Sequence, residues 1–182
     1  AVKLHPIVKD RLSDIKSIKI KTHESAIRII SKVGPLNNPA DRDHCLQYMI
    51  AVPLAFGNLT AEHYEDEFHR SNPIIDALRE KMMVEEEPRY TTEYLESEKR
   101  SIANSLQVFF KDGSATDEIE INYPVGHRRR REEGIPLLEE KFMTNLLTVF
   151  TKDRCKAIYD LCKDQEKLEN TRVNDFMDLF IP

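Results

Sequence analysis

The chain is poor in the residues that build several common kinds of site. It has only three cysteines, Cys45, Cys155 and Cys162, and no two of them form a CxxC pair. Because three thiols cannot all pair with one another, this pattern argues against a disulfide framework and against a cysteine-ligated zinc or iron–sulfur site. We therefore expect the protein to work in a reducing, intracellular compartment.

Glycine is scarce as well, with five residues in the whole chain. That leaves little material for a phosphate-cradling loop or a dinucleotide-binding fingerprint, and nothing resembles a nucleophile elbow. The histidines show no HExxH or comparable spacing, so we expect no metal site. They are His5, His23, His44, His63, His69 and His127.

Long apolar runs are absent too. No stretch reaches the roughly 18 to 20 residues that a bilayer-spanning helix needs, and no leader pattern opens the chain. The net charge is −5, so the field of the whole protein would repel a polyanion. We therefore expect neither a membrane nor a nucleic acid as partner.

What the chain does contain is a composition suited to a packed core, with 40% hydrophobic residues. Ile18 and Ile20 alternate with lysines, which is the period of a half-buried strand. Residues 106–110 alternate in the same way, Asp112 and Gly113 supply a turn, and residues 119–123 alternate on the return, which predicts a hairpin. Helical segments lie between the strands. The sequence thus predicts one α+β domain over residues 1–182, with helices packed on a small antiparallel sheet.

Several helix boundaries can be predicted. A buried helix is expected to be capped by Asp41 or Asp43 and to stop at Gly57, with Pro53 causing a kink or an early end near residues 49–52. Thr60 is predicted to cap a short acidic helix. Others are predicted to begin at Asn72 and Pro73, at Pro136, near residue 153 and near residue 174.

The stretch "DRDHCLQYM" concentrates side chains that can do chemistry. His44 and Tyr48 are four residues apart, so on one helix they would share a face and could present an acid–base pair. Arg42 falls in the first turn of the predicted helix, where a bound anion is favoured. The alternative is structural: an aspartate caps, Arg42 is solvated, and His44 and Tyr48 are satisfied polar residues at the rim of the core.

The stretch "GHRRRR" places local positive charge in an acidic chain. Successive side chains cannot all point the same way, so at most two of the four guanidiniums would meet one ligand, and guanidinium forks suit carboxylates. His127 and Arg128 are the candidates for contact with an anionic substrate. The alternative is that Arg128 to Arg131 pair with neighbouring acids or with a second chain. Arg28, close after the first strand, is a further candidate for the lining of a cleft.

The runs "THESAIRIISKVGPLNNPADRDHCLQYM", "YPVGHRRRREEGIP" and "VNDFMDLFI" occur in an order that covers essentially the whole chain. Together they resemble the carboxy-terminal lid domain of the MmgE/PrpD family, in its dehydratase branch. The resemblance implies intracellular, metal-independent homodimers without a cofactor, in which a large helical domain precedes a smaller α+β lid and the active site lies between them. The location implied is the mitochondrial matrix in fungi and the cytoplasm in bacteria.

The resemblance also implies an activity, the removal of water from the tricarboxylate 2-methylcitrate to give 2-methyl-cis-aconitate in propionate breakdown. The expected catalytic residues are His44 and Tyr48, and the expected substrate contacts are Arg28, Arg42, His127 and Arg128. The chain begins where the family's helical domain would already have ended. We therefore expect an inactive lid whose partner is its own helical domain. The alternatives are a relative that decarboxylates cis-aconitate, and a non-catalytic interaction module whose arginines bind an acidic partner.

Overall fold

The computed structural model describes residues 1–181, which group into two compact units. The first unit is Ala1–Pro124 and the second begins at Val125. The single domain predicted over residues 1–182 stays a prediction, because two compact units can belong to one domain.

The first unit is built on a four-stranded sheet with the strand order β2-β1-β3-β4. The strands are β1 Ile15–Thr22, β2 Met82–Glu86, β3 Asn104–Phe110 and β4 Ile119–Ile121. The central pair β1 and β3 is antiparallel, as is the pair of β3 and β4, whereas β2 runs parallel to β1. The α+β class is confirmed, but the sheet is mixed. A parallel neighbour needs a long crossover, and the helices between β1 and β2 provide it.

The predicted hairpin is confirmed as β3 and β4. Its connection is longer than a tight turn and is shaped by Gly113, which has a φ of +87°. Beyond the turn, the hydroxyl of Thr116 accepts a 3.1 Å hydrogen bond from the backbone N–H of Val108. Because Val108 lies within β3 and Thr116 precedes β4, this bond continues the pairing of the two arms beyond the start of β4.

Helices cover the sheet of the first unit, and two 3₁₀ segments, Lys9–Asp14 and Ala61–Tyr64, connect them. The α-helices are α1 His5–Val8, α2 Glu24–Ile30, α3 Pro39–Asp43, α4 Leu46–Phe56, α5 Asp66–Ser71, α6 Ile74–Arg79 and α7 Pro88–Leu95. Their apolar faces and the inward residues of β1 and β3 form one core. Its fully buried members include Ile15, Ile18, Ile20, Tyr48, Val52, Leu54, Ile75, Leu78 and Val108.

The helix predicted from Asp41 to Gly57 is in fact two helices. Asn38, not an aspartate, caps α3, since its side chain accepts a 2.9 Å bond from the N–H of Asp41. Cys45 is extended, with φ −122° and ψ 108°, and separates α3 from α4. Pro53 does not end α4, which reaches Phe56 because its residues are buried on several sides. The stop at Gly57 is confirmed by its φ of +85°.

Two further cap predictions had different outcomes. Thr60 caps the 3₁₀ segment that follows it, in a reciprocal capping box with His63. The prediction that Asn72 caps α6 was wrong, since Pro73 holds the N-cap position. The side-chain amide of Asn72 instead donates a 2.7 Å hydrogen bond to the carbonyl of Phe68, at the end of α5.

The second unit consists of helices alone among the described residues. After a 3₁₀ turn at Arg128–Arg130 it contains α8 Arg131–Leu147, α9 Lys152–Lys163, α10 Gln165–Asn170 and α11 Val173–Asp178. α8 begins five residues before the predicted start at Pro136, and the helices predicted near residues 153 and 174 are confirmed as α9 and α11. Their small core is Leu146, Cys155 and Ile158, with Phe142, Met143, Phe150, Leu179 and Phe180 packed against it.

Candidate functional site

The two predicted catalytic residues, His44 and Tyr48, do not share a helix. His44 follows the last residue of α3 with its side chain 64% exposed, whereas Tyr48 lies in α4 and is completely buried. The extended backbone at Cys45 interrupts the helical repeat between them. The prediction of a common helix face was therefore wrong, because it assumed one continuous helix.

His44 is held by the carboxylate that precedes it. Its Nδ1 lies 2.5 Å from an Oδ of Asp43. An ionised carboxylate only accepts hydrogen bonds, so Nδ1 carries the hydrogen and donates it, and in a neutral imidazole Nε2 is then the nitrogen with the lone pair. A histidine oriented in this way by a carboxylate can take a proton from a bound molecule.

Tyr48 has a different environment. Its hydroxyl donates a 2.6 Å hydrogen bond to the backbone carbonyl of His63. Burial raises the pKa of the phenol to about 12, although the nearby Arg42 opposes the shift. The phenol is thus neutral at physiological pH, and its proton already serves the backbone.

Arg42 is the most buried of the predicted substrate contacts, with 3% of the residue exposed. One nitrogen of the guanidinium donates to the carbonyl of Tyr64 at 2.5 Å and another to the carboxylate of Asp66 at 2.6 Å. These bonds connect α3 to the segment that leads into α5. Arg42 and Tyr48 therefore both anchor residues 63–66 to the helices that flank His44.

Two cavities flank the loop of residues 31–37. One, of about 490 Å³, is lined by Arg42, His69 and Arg70 among others, and the other, of about 580 Å³, by Lys32, Gln47 and Arg79 among others. Asp76 lines both cavities. In both cavities the cationic side chains lie together with acidic ones, which are Asp76 and Glu80 in the larger cavity and Asp66 and Asp76 in the smaller.

The position of this loop depends on side chains that the sequence did not single out. Asp76 accepts hydrogen bonds from Nε2 of His69 at 3.0 Å and from Arg79 at 2.5 Å. The other end of the Arg79 guanidinium donates to the carbonyl of Gly34 at 2.9 Å. From the sequence, only the contact between Asp76 and Arg79 could have been predicted, because the two residues are three positions apart on one helix. Gly34 is 45 residues away from Arg79.

Arg28 lies in the last turn of α2 and is largely exposed, with one guanidinium nitrogen 3.7 Å from the carboxylate of Glu24. Exposed pairs of this kind contribute little to stability, so the guanidinium can turn toward a ligand at small cost. Its role as a substrate contact stays a prediction.

His127 and Arg128 belong to the second unit. His127 caps the 3₁₀ turn, since its Nδ1 accepts a 3.1 Å bond from the N–H of Arg129. Arg130 forms a two-pronged contact with Glu133, at 2.5 and 2.9 Å. For Arg130 the structural alternative, pairing with a neighbouring acid, is what the structure shows. The substrate role of His127 and Arg128 stays a prediction.

Among the described residues, the structure contains neither a membrane-spanning helix nor a group of metal ligands. None of the helices over residues 1–181 is long and apolar enough to cross a membrane. Within the same range, no three histidine, cysteine, aspartate or glutamate side chains are grouped so that they could hold a metal ion.

Comparison with known proteins decides the family. Residues 1–165 match the MmgE/PrpD C-terminal domain. The chain belongs to the MmgE/PrpD family. The resemblance carried by the three sequence runs is thereby confirmed.

Within the MmgE/PrpD family, the chain is similar to proteins from bacteria and fungi. A 2-methylcitrate dehydratase of Salmonella typhi is 52% identical over 169 residues, which are 93% of this chain and 35% of that protein. The mitochondrial 2-methylcitrate dehydratase of Yarrowia lipolytica is 50% identical over 92% of the chain and 32% of its own length. A probable 2-methylcitrate dehydratase of Saccharomyces cerevisiae is 50% identical over 99% of the chain and 36% of its own length. The chain spans about a third of the length of these curated relatives.

Proposed function

We propose that this chain is the carboxy-terminal domain of a 2-methylcitrate dehydratase, a lyase that eliminates water from 2-methylcitrate to give 2-methyl-cis-aconitate. The proposal rests on sequence identity. Over more than nine-tenths of the chain, about half of the residues are identical to those of proteins named 2-methylcitrate dehydratase. Because the chain spans about a third of those proteins, the activity belongs to the whole protein, and the isolated domain is inactive.

The elimination needs three kinds of group. A base takes a proton from the carbon beside a carboxylate, cations hold the charge that develops there, and an acid protonates the departing hydroxyl, which leaves as water. Nε2 of His44 suits the base, because Asp43 holds the other ring nitrogen in the donor state. Since protons are conserved, the base ends the step protonated and the acid ends it deprotonated.

The arginines differ in what they can contribute. Arg28 and Arg128 are exposed, so their guanidinium groups suit contact with the carboxylates of the substrate. Arg42 and Tyr48 act by holding the backbone on either side of His44, since both already donate to residues 63–66. His127 is the remaining candidate for a proton donor or a carboxylate contact.

The partners proposed follow from the family. They are a tricarboxylate substrate, the protein's own amino-terminal helical domain and a second subunit. The proposed location is intracellular, in the mitochondrial matrix for a fungal protein and in the cytoplasm for a bacterial one. The mitochondrial relative from Yarrowia supports the fungal case.

The test uses the full-length protein that contains this domain. We expect purified protein to convert 2-methylcitrate to 2-methyl-cis-aconitate, followed by mass spectrometry and by the absorbance of the new double bond. Loss of a general base costs about 10²- to 10⁴-fold in rate, so His44→Asn should lower kcat by that factor, with a smaller loss for Asp43→Asn. His69→Asn, which alters the other histidine–aspartate pair, is the matched comparison.

Each outcome decides one point. A wild-type protein that releases carbon dioxide from cis-aconitate and leaves 2-methylcitrate unchanged contradicts the dehydratase assignment. Active wild-type protein with normal turnover in both His44→Asn and Asp43→Asn removes that pair from the reaction. If only His69→Asn lowers kcat, the general base is His69, which lines the same cavity as Arg42.

A further inference from the structure

The loop of residues 31–37 carries a cation, Lys32, that the sequence did not single out. Its side chain is 36% exposed, and Nζ lies 3.7 Å from an Oδ of Asp41. At that separation the two charges attract one another without a hydrogen bond, and a partly exposed pair of this kind is weak. The ammonium group can therefore leave Asp41 for another anion at small cost.

The backbone of Lys32 is held by residues that follow His44 in the chain. Sγ of Cys45 lies 3.6 Å from the carbonyl oxygen of Lys32. The side-chain amide of Gln47 accepts a 3.2 Å hydrogen bond from the N–H of Lys32 and donates a 2.9 Å bond to the hydroxyl of Ser31. Cys45 and Gln47 are both buried, so water competes little for these contacts. Because Cys45 directly follows His44, the contacts place Lys32 against the neighbour of the proposed base.

The rest of the loop is fixed as well. The guanidinium of Arg79 donates to the carbonyl of Gly34 at 2.9 Å, and the N–H of Asn37 donates to the carboxylate of Asp41 at 3.1 Å. Since the backbone is held at these points, the loop needs little further ordering to receive a ligand. Binding of an anion then restricts mainly the Lys32 side chain, and a binding group on a preorganised backbone loses less entropy.

Lys32 is the available cation of the 580 Å³ cavity that it lines. Two other charged residues of this cavity, Arg79 and Asp76, hydrogen-bond to each other at 2.5 Å, so their charges largely offset. Glu80 ends α6 and is exposed, so water screens its carboxylate. Of the described cations that line the cavity, Lys32 is thus the one without a hydrogen-bonded carboxylate. A cavity of this volume accommodates a small organic acid.

We propose that Lys32 is a further substrate-binding residue, whose ammonium group donates to one carboxylate of a tricarboxylate in this cavity. The inference rests on the proposed function, which supplies the class of substrate. That carboxylate is charged in the bound substrate and remains charged during the elimination, so the contact is made equally in both states. An interaction of this kind lowers KM and leaves kcat nearly unchanged. The expected effect differs from that of His44, because the loss of a base acts on kcat.

The kinetic test uses the full-length protein that contains this domain, with 2-methylcitrate as substrate. Lys32→Met should raise KM by roughly ten- to hundredfold with kcat nearly unchanged, because a hydrogen bond to a charged group is lost. Lys32→Arg keeps the charge and should recover most of that loss. Lys19→Met is the matched control, because Lys19 is 33% exposed and pairs with Glu85 at 2.9 Å, and its KM should stay normal. A normal KM in Lys32→Met, or a loss in kcat alone, overturns the proposal.

Citrate binding separates this proposal from the proposed function, because citrate is a tricarboxylate whose binding needs no turnover. In isothermal titration calorimetry of the same full-length proteins, Lys32→Met should bind citrate roughly ten- to hundredfold more weakly than the wild type, and Lys19→Met should bind it equally well. If the wild type shows this pattern but does not convert 2-methylcitrate, the dehydratase assignment fails and Lys32 is still a carboxylate contact. Equal citrate affinity in the wild type and Lys32→Met, or a wild type that does not bind citrate, overturns the role of Lys32.

Urea unfolding distinguishes binding from a structural effect. The Lys32 side chain forms one weak ion pair, so Lys32→Met should unfold at the same urea concentration as the wild type. A lower unfolding midpoint in Lys32→Met, with citrate binding restored in neither Lys32→Met nor Lys32→Arg, would make the role of Lys32 structural and overturn the proposal.

Discussion

The ring of His23 stacks on the ring of Tyr94, with centroids 4.3 Å apart and planes 5° apart. In the same position, Nδ1 of His23 accepts a 3.2 Å hydrogen bond from the N–H of Ala26 and so caps α2. An imidazole nitrogen accepts only when it is unprotonated. The start of α2 therefore depends on the neutral form of a buried histidine.

Stability should fall when this histidine is driven to protonate. Burial lowers the pKa of His23, with Glu24 opposing the shift. Above the unfolded pKa of about 6.5, both states are neutral and His23 adds no pH dependence. Below it the unfolded chain takes up the proton first, so the free energy of unfolding decreases as pH falls, until the folded-state pKa is passed.

The check is His23→Asn, which keeps a capping acceptor that does not titrate. Urea unfolding between about pH 7 and 5 should show a weaker pH dependence in His23→Asn than in the wild type. His44→Asn is the control, because His44 is exposed and should leave most of the wild-type slope. Equal slopes in His23→Asn and the wild type would contradict the role of the cap.

Tyr48→Phe should destabilise the first unit. It removes the hydroxyl that donates to the carbonyl of His63 and leaves that acceptor without its partner. The expected loss is about 1–3 kcal/mol in the free energy of unfolding. Tyr94→Phe, which retains the ring that stacks on His23, should change stability by no more than about 0.5 kcal/mol. If the two variants unfold at the same urea concentration, the Tyr48 bond is not stabilising.

Arg42→Met tests whether Arg42 is an anchor. The substitution removes two hydrogen bonds from a residue that is 3% exposed. Asp66 is 58% exposed and can be hydrated again, so we expect a loss of about 1–3 kcal/mol and not the larger cost of a fully buried pair. Arg28→Met, at an exposed position, should stay within about 0.5 kcal/mol. Similar stability of both variants in urea unfolding would make Arg42 dispensable to the fold.

Gly134→Ala should destabilise the second unit, although alanine is the better helix former. A Cβ at residue 134 would overlap the carbonyl oxygen of Val125. Such overpacking costs about 1–3 kcal/mol and outweighs the roughly 1 kcal/mol gained in helix propensity. At Gly126 a Cβ meets nothing within 4 Å, so Gly126→Ala is the control. Thermal unfolding followed by circular dichroism should show a lower Tm for Gly134→Ala alone, and an unchanged or higher Tm there would refute the steric argument.

Local patterns in the sequence were sufficient for features that depend on a few neighbouring residues. The alternation around Ile18 and Ile20 predicted β1, and Asp112-Gly113 between two alternating runs predicted the hairpin of β3 and β4. Gly57 marked the end of α4 because its φ is +85°, a backbone conformation that glycine adopts without the strain other residues would suffer. Ordered runs of residues over the whole chain were enough to recognise the family.

Tertiary structure alone decided the rest. The direction of β2 depends on the path of the helices that precede it, and the break at Cys45 depends on how α3 and α4 each pack. The burial of Arg42 requires Asp66, 24 residues further on, and Arg79 holds a carbonyl 45 residues back. Local propensity acts over a few residues, whereas burial and charge pairing are set by which distant segments meet. For this reason the sequence determined which residues could do chemistry, and the packing decided that His44 is presented to solvent while Arg42 and Tyr48 are tied to the backbone.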